Sequence, residues 1–366
     1  MKLTYKYRIY PTKKQETILN NQLETCRFLY NHLLEIRKNS WEKEKKSVSC
    51  YDSIKQIPIL KETYPQLTSV YSQCLQNVAI RVDLAYQGFF RRLKNGDTPG
   101  YPRFRGKGRY FSICYPQYNN GCEIKENKLL LSKVGEVDIV LHRKLFGTPK
   151  TITIAKTPTN KWFVSISCCD IPNNKKQFRR TGKETGIDVG ILSFATFDDG
   201  TKINNPRFFE KEQKQLAKKQ RQKKWKVARR IHERIVNKRN DFLHKTTNGI
   251  LNRYDFIFIE DIETNKLLKK RWCSKQINDV AWSMFGNIIS YKAAYADKIL
   301  IKINPAYTSQ TCSQCGTRTI MELKDRVFNC SCGLSMDRDI NAARNILRLG
   351  RQSLAVNSIE APIPLG

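Results

Sequence analysis

Residues 186–203 read GIDVGILSFATFDDGTKI, and the fold turns on them. Apolar and β-branched residues dominate the run, and Asp199-Gly200 marks a tight turn, so the stretch predicts a β-hairpin. Asp188 stands mid-strand between Gly186 and Gly190, small neighbours that leave room for a substrate backbone. Downstream, periodicity predicts a basic helix from about Pro206 to Thr246, a strand over 254–261 and a helix near 278–298. A strand over 300–304 and a last helix over about 338–349 follow. A hairpin, then strands alternating with helices, describes an α/β domain on a mixed sheet, spanning 181–305 and 336–352. Residues 353–366 have no clear period and are expected to form a flexible tail.

Upstream the pattern differs. Residues 2–10 alternate as a strand, and Thr12 with Gln15 forms a capping box that opens a helix. That helix has an apolar face of Ile18, Gln22/Leu23, Cys26, Leu29/Tyr30 and Leu33. A second helix is expected over about 68–93. Past the turn-rich GDTPGYPRFRGKGR (96–109), short strands are expected at 110–115, 128–131 and 137–141. Residues 151–157 and 161–168 read as a hairpin across Pro158-Thr159-Asn160. These strands predict a small β-barrel of residues 1–11 and 108–180, interrupted by a helical segment, 12–107. The fold class expected is therefore multidomain, α+β followed by α/β.

Charge narrows the function. The chain has 66 Lys+Arg against 33 Asp+Glu, a net +33, and such a field attracts polyanionic phosphate. The bases are spread over several segments rather than flanking an apolar anchor, which disfavours a membrane partner. The opening MKLTYKYRIYP has no apolar signal-peptide core, and most of the twelve cysteines are scattered, so a reducing cytoplasm is expected. The 206–246 helix carries fifteen Lys/Arg and four Asp/Glu above an apolar stripe of Leu216, Trp225, Ala228, Ile231, Ile235 and Phe242. Salt bridging cannot absorb that bias, which nominates Lys223, Lys224, Arg229 and Arg230 as phosphate contacts. Arg91, Arg92, Arg103, Arg105 and Lys107 are nominated from a second segment that interleaves bases, aromatics and glycines.

Two constellations carry chemistry. Cys312-Ser-Gln-Cys315-Gly and Cys330-Ser-Cys332-Gly provide four thiolates in two glycine-ended turns, the pattern of a closed structural zinc site. Phosphodiester hydrolysis needs carboxylates that hold divalent cations and that converge from distant points in sequence. Asp188 is the first candidate. Glu260 ends the apolar strand Phe256-Ile257-Phe258-Ile259, with Asp261 facing the other way. Asp339 precedes Asn341-Ala342-Ala343, whose alanines let a helix pack closely on a sheet. Singly, each acid has a plain alternative: a turn acid, a solvated strand end, or a complement to a helix dipole, with Asp337 as a helix N-cap.

Taken together these landmarks resemble the TnpB (OrfB) proteins of insertion sequences. The resemblance rests on Tyr7-Arg8-Ile9-Tyr10-Pro11-Thr12, Phe89-Phe90-Arg91-Arg92, Gly100-Tyr101-Pro102-Arg103-Phe104 and Gly186-Ile187-Asp188-Val189-Gly190. Ile259-Glu260-Asp261, Thr308-Ser309-Gln310-Thr311-Cys312 and Asp337-Arg338-Asp339-Ile340-Asn341-Ala342-Ala343 complete it, in family order over nearly the whole chain. It implies a magnesium-dependent, RNA-guided DNA endonuclease that uses a guide RNA and double-stranded target DNA, related to type V CRISPR effectors. The expected parts are a wedge-like β-barrel, an inserted helical recognition domain, and an RNase H-like (RuvC) domain with a zinc ribbon inserted at 306–335. Asp188, Glu260 and Asp339 take the catalytic positions. Two departures stand out: the second cysteine pair is CxC rather than CxxC, and Met336 replaces a common histidine. A nuclease-inactive guided repressor and a transposase acting directly in strand transfer are the rival readings.

Overall fold

Pro11 ends the first strand, β1 (Leu3–Tyr10), and the capping box then starts α1 (Lys13–Glu44). In that box Gln15 N donates to the Thr12 hydroxyl at 3.3 Å and Thr12 N donates to the Gln15 amide oxygen at 2.9 Å. The structure is a computed structural model that describes residues 2–171, 178–262, 274–322 and 325–359. The chain divides into two units, Met1–Pro172 and Asn173–Gly366.

In the first unit, α3 (Ser72–Lys94) packs against both α1 and α2 (Cys50–Thr63), and Leu23, Cys26, Leu33, Ile57, Leu75 and Val82 on these helices are buried. The helix α2 was not expected. Pro58 in its interior argues against a helix, although Ser49 and Asp52 form a second capping box. The strands β2 (Ser112–Tyr115), β3 (Cys122–Lys125), β4 (Lys128–Leu131), β5 (Gly135–Val140), β6 (Thr148–Lys156) and β7 (Trp162–Cys169) join β1 in one antiparallel sheet. Its order is β2-β6-β7-β1-β5-β4-β3, with β1 at the centre. The edges approach one another: the Tyr115 hydroxyl donates to the Ser132 carbonyl at 3.2 Å, and Ile124 N donates to the Tyr118 hydroxyl at 3.1 Å. A nearly closed barrel results, as the sequence predicts, with Trp162, Val164, Ile166 and Cys168 pointing inward at period two.

In the second unit, β8 (Glu184–Asp188), β9 (Ser193–Phe197) and β10 (Lys202–Asn204) form an antiparallel meander. The Asp-Gly turn joins β9 to β10, so the opening stretch makes two hairpins rather than one. The strands β11 (Phe256–Glu260) and β12 (Ile299–Ile303) add in parallel on the far side of β8, giving the mixed order β10-β9-β8-β11-β12. One face packs against α5 (Trp225–Arg253), α6 (Ser274–Val280) and α7 (Trp282–Ala296) through Ile187, Ile257, Ile259, Leu251, Phe285 and Ile289. The other face carries α8 (Arg338–Ile359).

The single basic helix expected at 206–246 is two helices, α4 (Phe208–Arg221) and α5, reversing at Lys223 with φ 53°. An apolar stripe this narrow is buried when the helix folds back on itself. Leu216, Ala228, Ile231 and Ile235 meet between the two arms, while Trp225 is left 56% exposed at the tip, outside the stripe. The last helix runs ten residues beyond its expected end, to Ile359, so residues 353–359 are helical; the rest of the expected tail, 360–366, lies outside the described residues. No helix among the described residues is long and apolar enough to cross a membrane.

Candidate active site

Strand parity decides where the acids point. On β8, Glu184, Gly186 and Asp188 share the face toward α8, while Thr185 and Ile187 face away. The helix follows that face step by step: Arg351 pairs with Glu184, the Ala343 and Leu347 backbone lies over Gly186, and Asp339 in the first turn comes opposite Asp188. Gly186 is therefore small because α8 sits on it: a Cβ there would lie 2.1 Å from the Ala343 carbonyl oxygen. This corrects the expectation that the glycine leaves space for substrate. Asp188 also ends its strand instead of standing within it.

Glu260 ends β11, adjacent and parallel to β8, in a register that pairs Ile259 with Ile187. The Asp188 and Glu260 carboxyls share a hydrogen bond, and the charge of Asp339 acts on both. Burial, then the Glu260 and Asp339 charges, hold the Asp188 carboxyl well above the usual range. Burial also raises Glu260, to about 7, against the opposing hydrogen bonds from Thr308 and Asp188. Arg338, whose Nε lies 3.6 Å from Asp339 Oδ1, is the cationic side chain that lowers Asp188. Three acids from three elements thus come within reach of one another's charge, with Arg338 the cation that acts on Asp188. Carboxylates are the donor type a divalent cation takes, although among the described residues only the four cysteines bring their donor atoms within 4.8 Å of one another. Asp337 is separate: its carboxylate accepts from Asp339 N at 2.9 Å and Ile340 N at 3.3 Å as an N-cap, and it pairs with Lys202 at 2.6 Å. Asp261 points into solvent beside Lys302.

The four cysteine sulfurs lie within 4.8 Å of one another, with Cys312–Cys332 at 3.6 Å and Cys315–Cys330 at 3.5 Å. Tetrahedral zinc–thiolate bonds of about 2.3 Å place sulfurs about 3.8 Å apart, so the cluster fits zinc and not disulfides. Each pair is followed by a left-handed glycine, Gly316 at φ 82° and Gly333 at φ 91°. The second pair sits in the turn between β13 (Val327–Asn329) and β14 (Ser335–Asp337), which feeds directly into α8.

Three residues that sequence reasoning missed tie knuckle to acids. The Thr308 hydroxyl donates to Glu260 at 3.0 Å. Buried Asn345 donates to the Thr308 carbonyl at 2.9 Å, and buried Asn341 holds Thr311 and Ser313 at 2.8 and 2.9 Å. The signal was available, since Asn341 and Asn345 are spaced i,i+4 on one helix face, but their partners are 28 to 37 residues away in sequence.

The nominated bases fall into two groups. Arg91, Arg92, Arg103 and Arg105 come together around one cavity of the first unit, with Lys107 exposed outside its lining. Lys223, Lys224, Arg229 and Arg230 are exposed at and beside the α4–α5 tip. Residues 218–230 there hold eight Lys/Arg and no acid.

Fold and site define the class: an α/β protein with a carboxylate cluster at the carboxyl edge of a mixed sheet, strongly basic elsewhere and carrying a four-cysteine knuckle. Three family models match it: "Helix-turn-helix domain" of OrfB over residues 1–46, "Probable transposase" of OrfB over 167–271, and "Cas12f1-like, TNB domain" over 282–346. Residues 1–46 form β1 and the single helix α1, so the first description does not put a helix-turn-helix into this chain. A Streptomyces pristinaespiralis protein named as an RNA-guided DNA endonuclease is 33% identical over 96% of this chain and 90% of its own length. An Escherichia coli K12 protein named "Putative RNA-guided DNA endonuclease InsQ" is 28% identical over 96% and 93%. Among solved structures, the mini-RNA-guided endonuclease CRISPR-Cas phi3 matches 96% of this chain and 92% of that one, at 12% identity and a TM-score of 0.49. The chain belongs to the TnpB (OrfB) family.

Proposed function

We propose that the protein is an RNA-guided DNA endonuclease of a transposable element, cutting phosphodiesters with divalent cations, most simply magnesium, at Asp188, Glu260 and Asp339. The observation that carries this reading is the convergence of those three half-buried acids from β8, β11 and α8, with the Asp188 and Glu260 carboxyls both held above their usual range. Strand order β10-β9-β8-β11-β12, with a meander followed by two parallel strands, supports assigning the second unit to the RNase H-like (RuvC) class. A bound divalent cation supplies the positive charge that a phosphodiester needs as it approaches the transition state. The chain's own work is placement. Parallel pairing sets Asp188 beside Glu260, α8 delivers Asp339, and Thr308 fixes the Glu260 rotamer through a loop anchored on the cysteine knuckle. The Cys312, Cys315, Cys330 and Cys332 set is assigned to structural zinc.

Binding is assigned to the basic faces, which have the charge to hold a guide RNA and duplex DNA but no groove-reading module among the described residues. Base pairing with the guide then supplies sequence choice, and the protein reads a short flanking motif. The domain reading is a wedge-like barrel (1–11 and 108–180), a helical recognition segment (12–107), a RuvC-like part (181–305 and 336–352) and a zinc insertion (306–335). A plasmid carrying a matched target beside candidate flanks, incubated with protein, its element-derived RNA and magnesium, tests the whole. Cleavage is expected only with the matched guide. Equal cutting with a scrambled guide or without RNA returns the protein to an unguided nuclease.

A further inference from the structure

Five arginines of the first unit, Arg91, Arg92, Arg103, Arg105 and Arg109, line a single open cavity of about 720 Å³. No acid lines it, and none of the five arginines forms an ion pair among the described residues. Like charges gathered this way repel, so the arrangement is stable in use only against an anion. Aromatic rings share the same walls: Tyr30, Tyr101 and Phe104. Phe104 is 53% exposed and pairs with no other ring among the described residues. Tyr101 is fixed by edge-on packing against Tyr86 and Phe89, at 5.5 and 5.4 Å, and by a 2.8 Å bond between the Tyr86 and Tyr101 hydroxyls.

Arg91 and Arg92 stand on the last turn of α3 and Tyr30 on α1, whereas the segment that carries Tyr101, Arg103, Phe104, Arg105 and Arg109 has no helix or strand, yet it is held in place. Arg105 N donates to the Asn31 side chain at 2.7 Å, and the Arg105 carbonyl accepts from Asn31 and Arg27 at 3.0 and 3.1 Å. Gly108 N donates to the Glu24 carboxylate at 3.1 Å. The cavity is therefore built before any ligand arrives. Arginines alone would serve a free anion or a duplex backbone, but a duplex buries its base faces and leaves exposed rings without a purpose. A ligand that presents several phosphates together with an open π face satisfies both halves of the site.

We infer that this cavity takes a splayed segment of single-stranded nucleic acid, an unstacked base resting on Phe104 and Tyr101 while neighbouring phosphates lie on the arginines. The inference rests on the nucleic-acid-binding part of the proposed function and not on cleavage. Guide RNA and a displaced DNA strand share this chemistry, and the test separates them.

The full chain carrying Phe104→Trp provides a local reporter, read as the difference from wild type, whose own five tryptophans are common to both. Far-ultraviolet circular dichroism and the thermal transition check that the variant folds. The probes are an oligoribonucleotide, the matching single-stranded DNA, its duplex, and a DNA strand of equal length with abasic sites. Quenching of the new tryptophan is expected with one or both single strands, and whichever binds more tightly identifies the source. The abasic strand should bind this site roughly five- to a hundredfold more weakly, the worth of one stacked base. Adding Arg103→Ala should reduce the salt slope of the quench titration by about 0.7, one single-strand phosphate contact. Equal quenching by the abasic strand, stronger quenching by duplex, no quenching, or an unchanged salt slope would each overturn the inference. Cleavage is not read in any arm, so failure here and failure of the nuclease reading remain distinguishable.

Discussion

Replacing Gly186 by alanine sets a methyl carbon 2.1 Å from the Ala343 carbonyl oxygen and 2.5 Å from the Leu347 amide nitrogen, both in the backbone of α8. Ordinary non-bonded contact begins near 3.5 Å, so strand and helix must part by about 1 Å. Neither atom is a side chain that can swing away. Overpacking of this kind costs about 1–3 kcal/mol or more. For a unit of this size that corresponds to a fall in melting temperature of roughly 2–12 °C. The helix carries Asp339, and a misplacement of about 1 Å at a reacting centre can cost on the order of a hundredfold in rate. Gly186→Ala is therefore expected to lose stability and cleavage together while its affinity for nucleic acid stays unchanged. Gly249→Ala is the matched control. Its Cβ meets nothing within 4 Å inside α5, and helix propensity favours alanine there by up to about 1 kcal/mol. Urea unfolding and plasmid cleavage, run on both variants, decide the matter. A Gly186→Ala protein as stable and as active as wild type would refute the close seating of α8 on β8.

Asp188→Ala or Asp339→Ala should reduce cleavage by roughly a thousandfold or more with binding preserved, measured by gel cleavage beside mobility shift; full cutting by both variants would remove the three-acid assignment. Cys315→Ser with Cys330→Ser should lose zinc and cleavage together, and metal analysis that finds no zinc in active wild-type protein would end the knuckle reading. In magnesium-free buffer Glu260 keeps a proton up to about pH 7 that the unfolded chain, with its ordinary value of 4.5, has already released. Folding stability should accordingly fall as pH rises from 4.5 through 7, by up to about 3 kcal/mol for this group with Asp188 raised in the same direction, and Glu260→Gln should make the fall shallower. Magnesium added at pH 8 should restore stability to the wild type; an unchanged slope in Glu260→Gln would contradict the assignment. Lys223→Ala or Lys224→Ala should each lower the salt slope of DNA binding by about 0.9 and leave the melting temperature unchanged.

The legible part of the site was local. The Phe256–Glu260 run declares a buried strand that ends in an acid, and the spacing of Cys312, Cys315, Cys330 and Cys332 declares a cluster without any knowledge of the fold. Asp339 was legible from the small residues that follow it. What stayed hidden depends on partners far away in sequence. Gly186 reads as an open position until α8 is laid across it, and Thr308 shows no role until its hydroxyl is found on Glu260 and its carbonyl on Asn345. The break at Lys223 has neither Gly nor Pro to announce it, because the two arms reverse to bury a shared stripe. Pro58 hid α2 for the opposite reason: a breaker is present, and packing against α3 prevails.

The seating of α8 on two parallel strands also sets a timetable. About 150 residues separate Asp188 from Asp339, so the third acid is synthesised last and docks onto a surface that must already be paired. At ribosomal speed that interval is on the order of ten seconds. Parallel pairing between β8 and β11 adds a non-local step of the kind that folds slowly. On the proposed assignment, a nascent chain grips nucleic acid with its basic surfaces well before its three acids are brought together, and the cutting centre is assembled last.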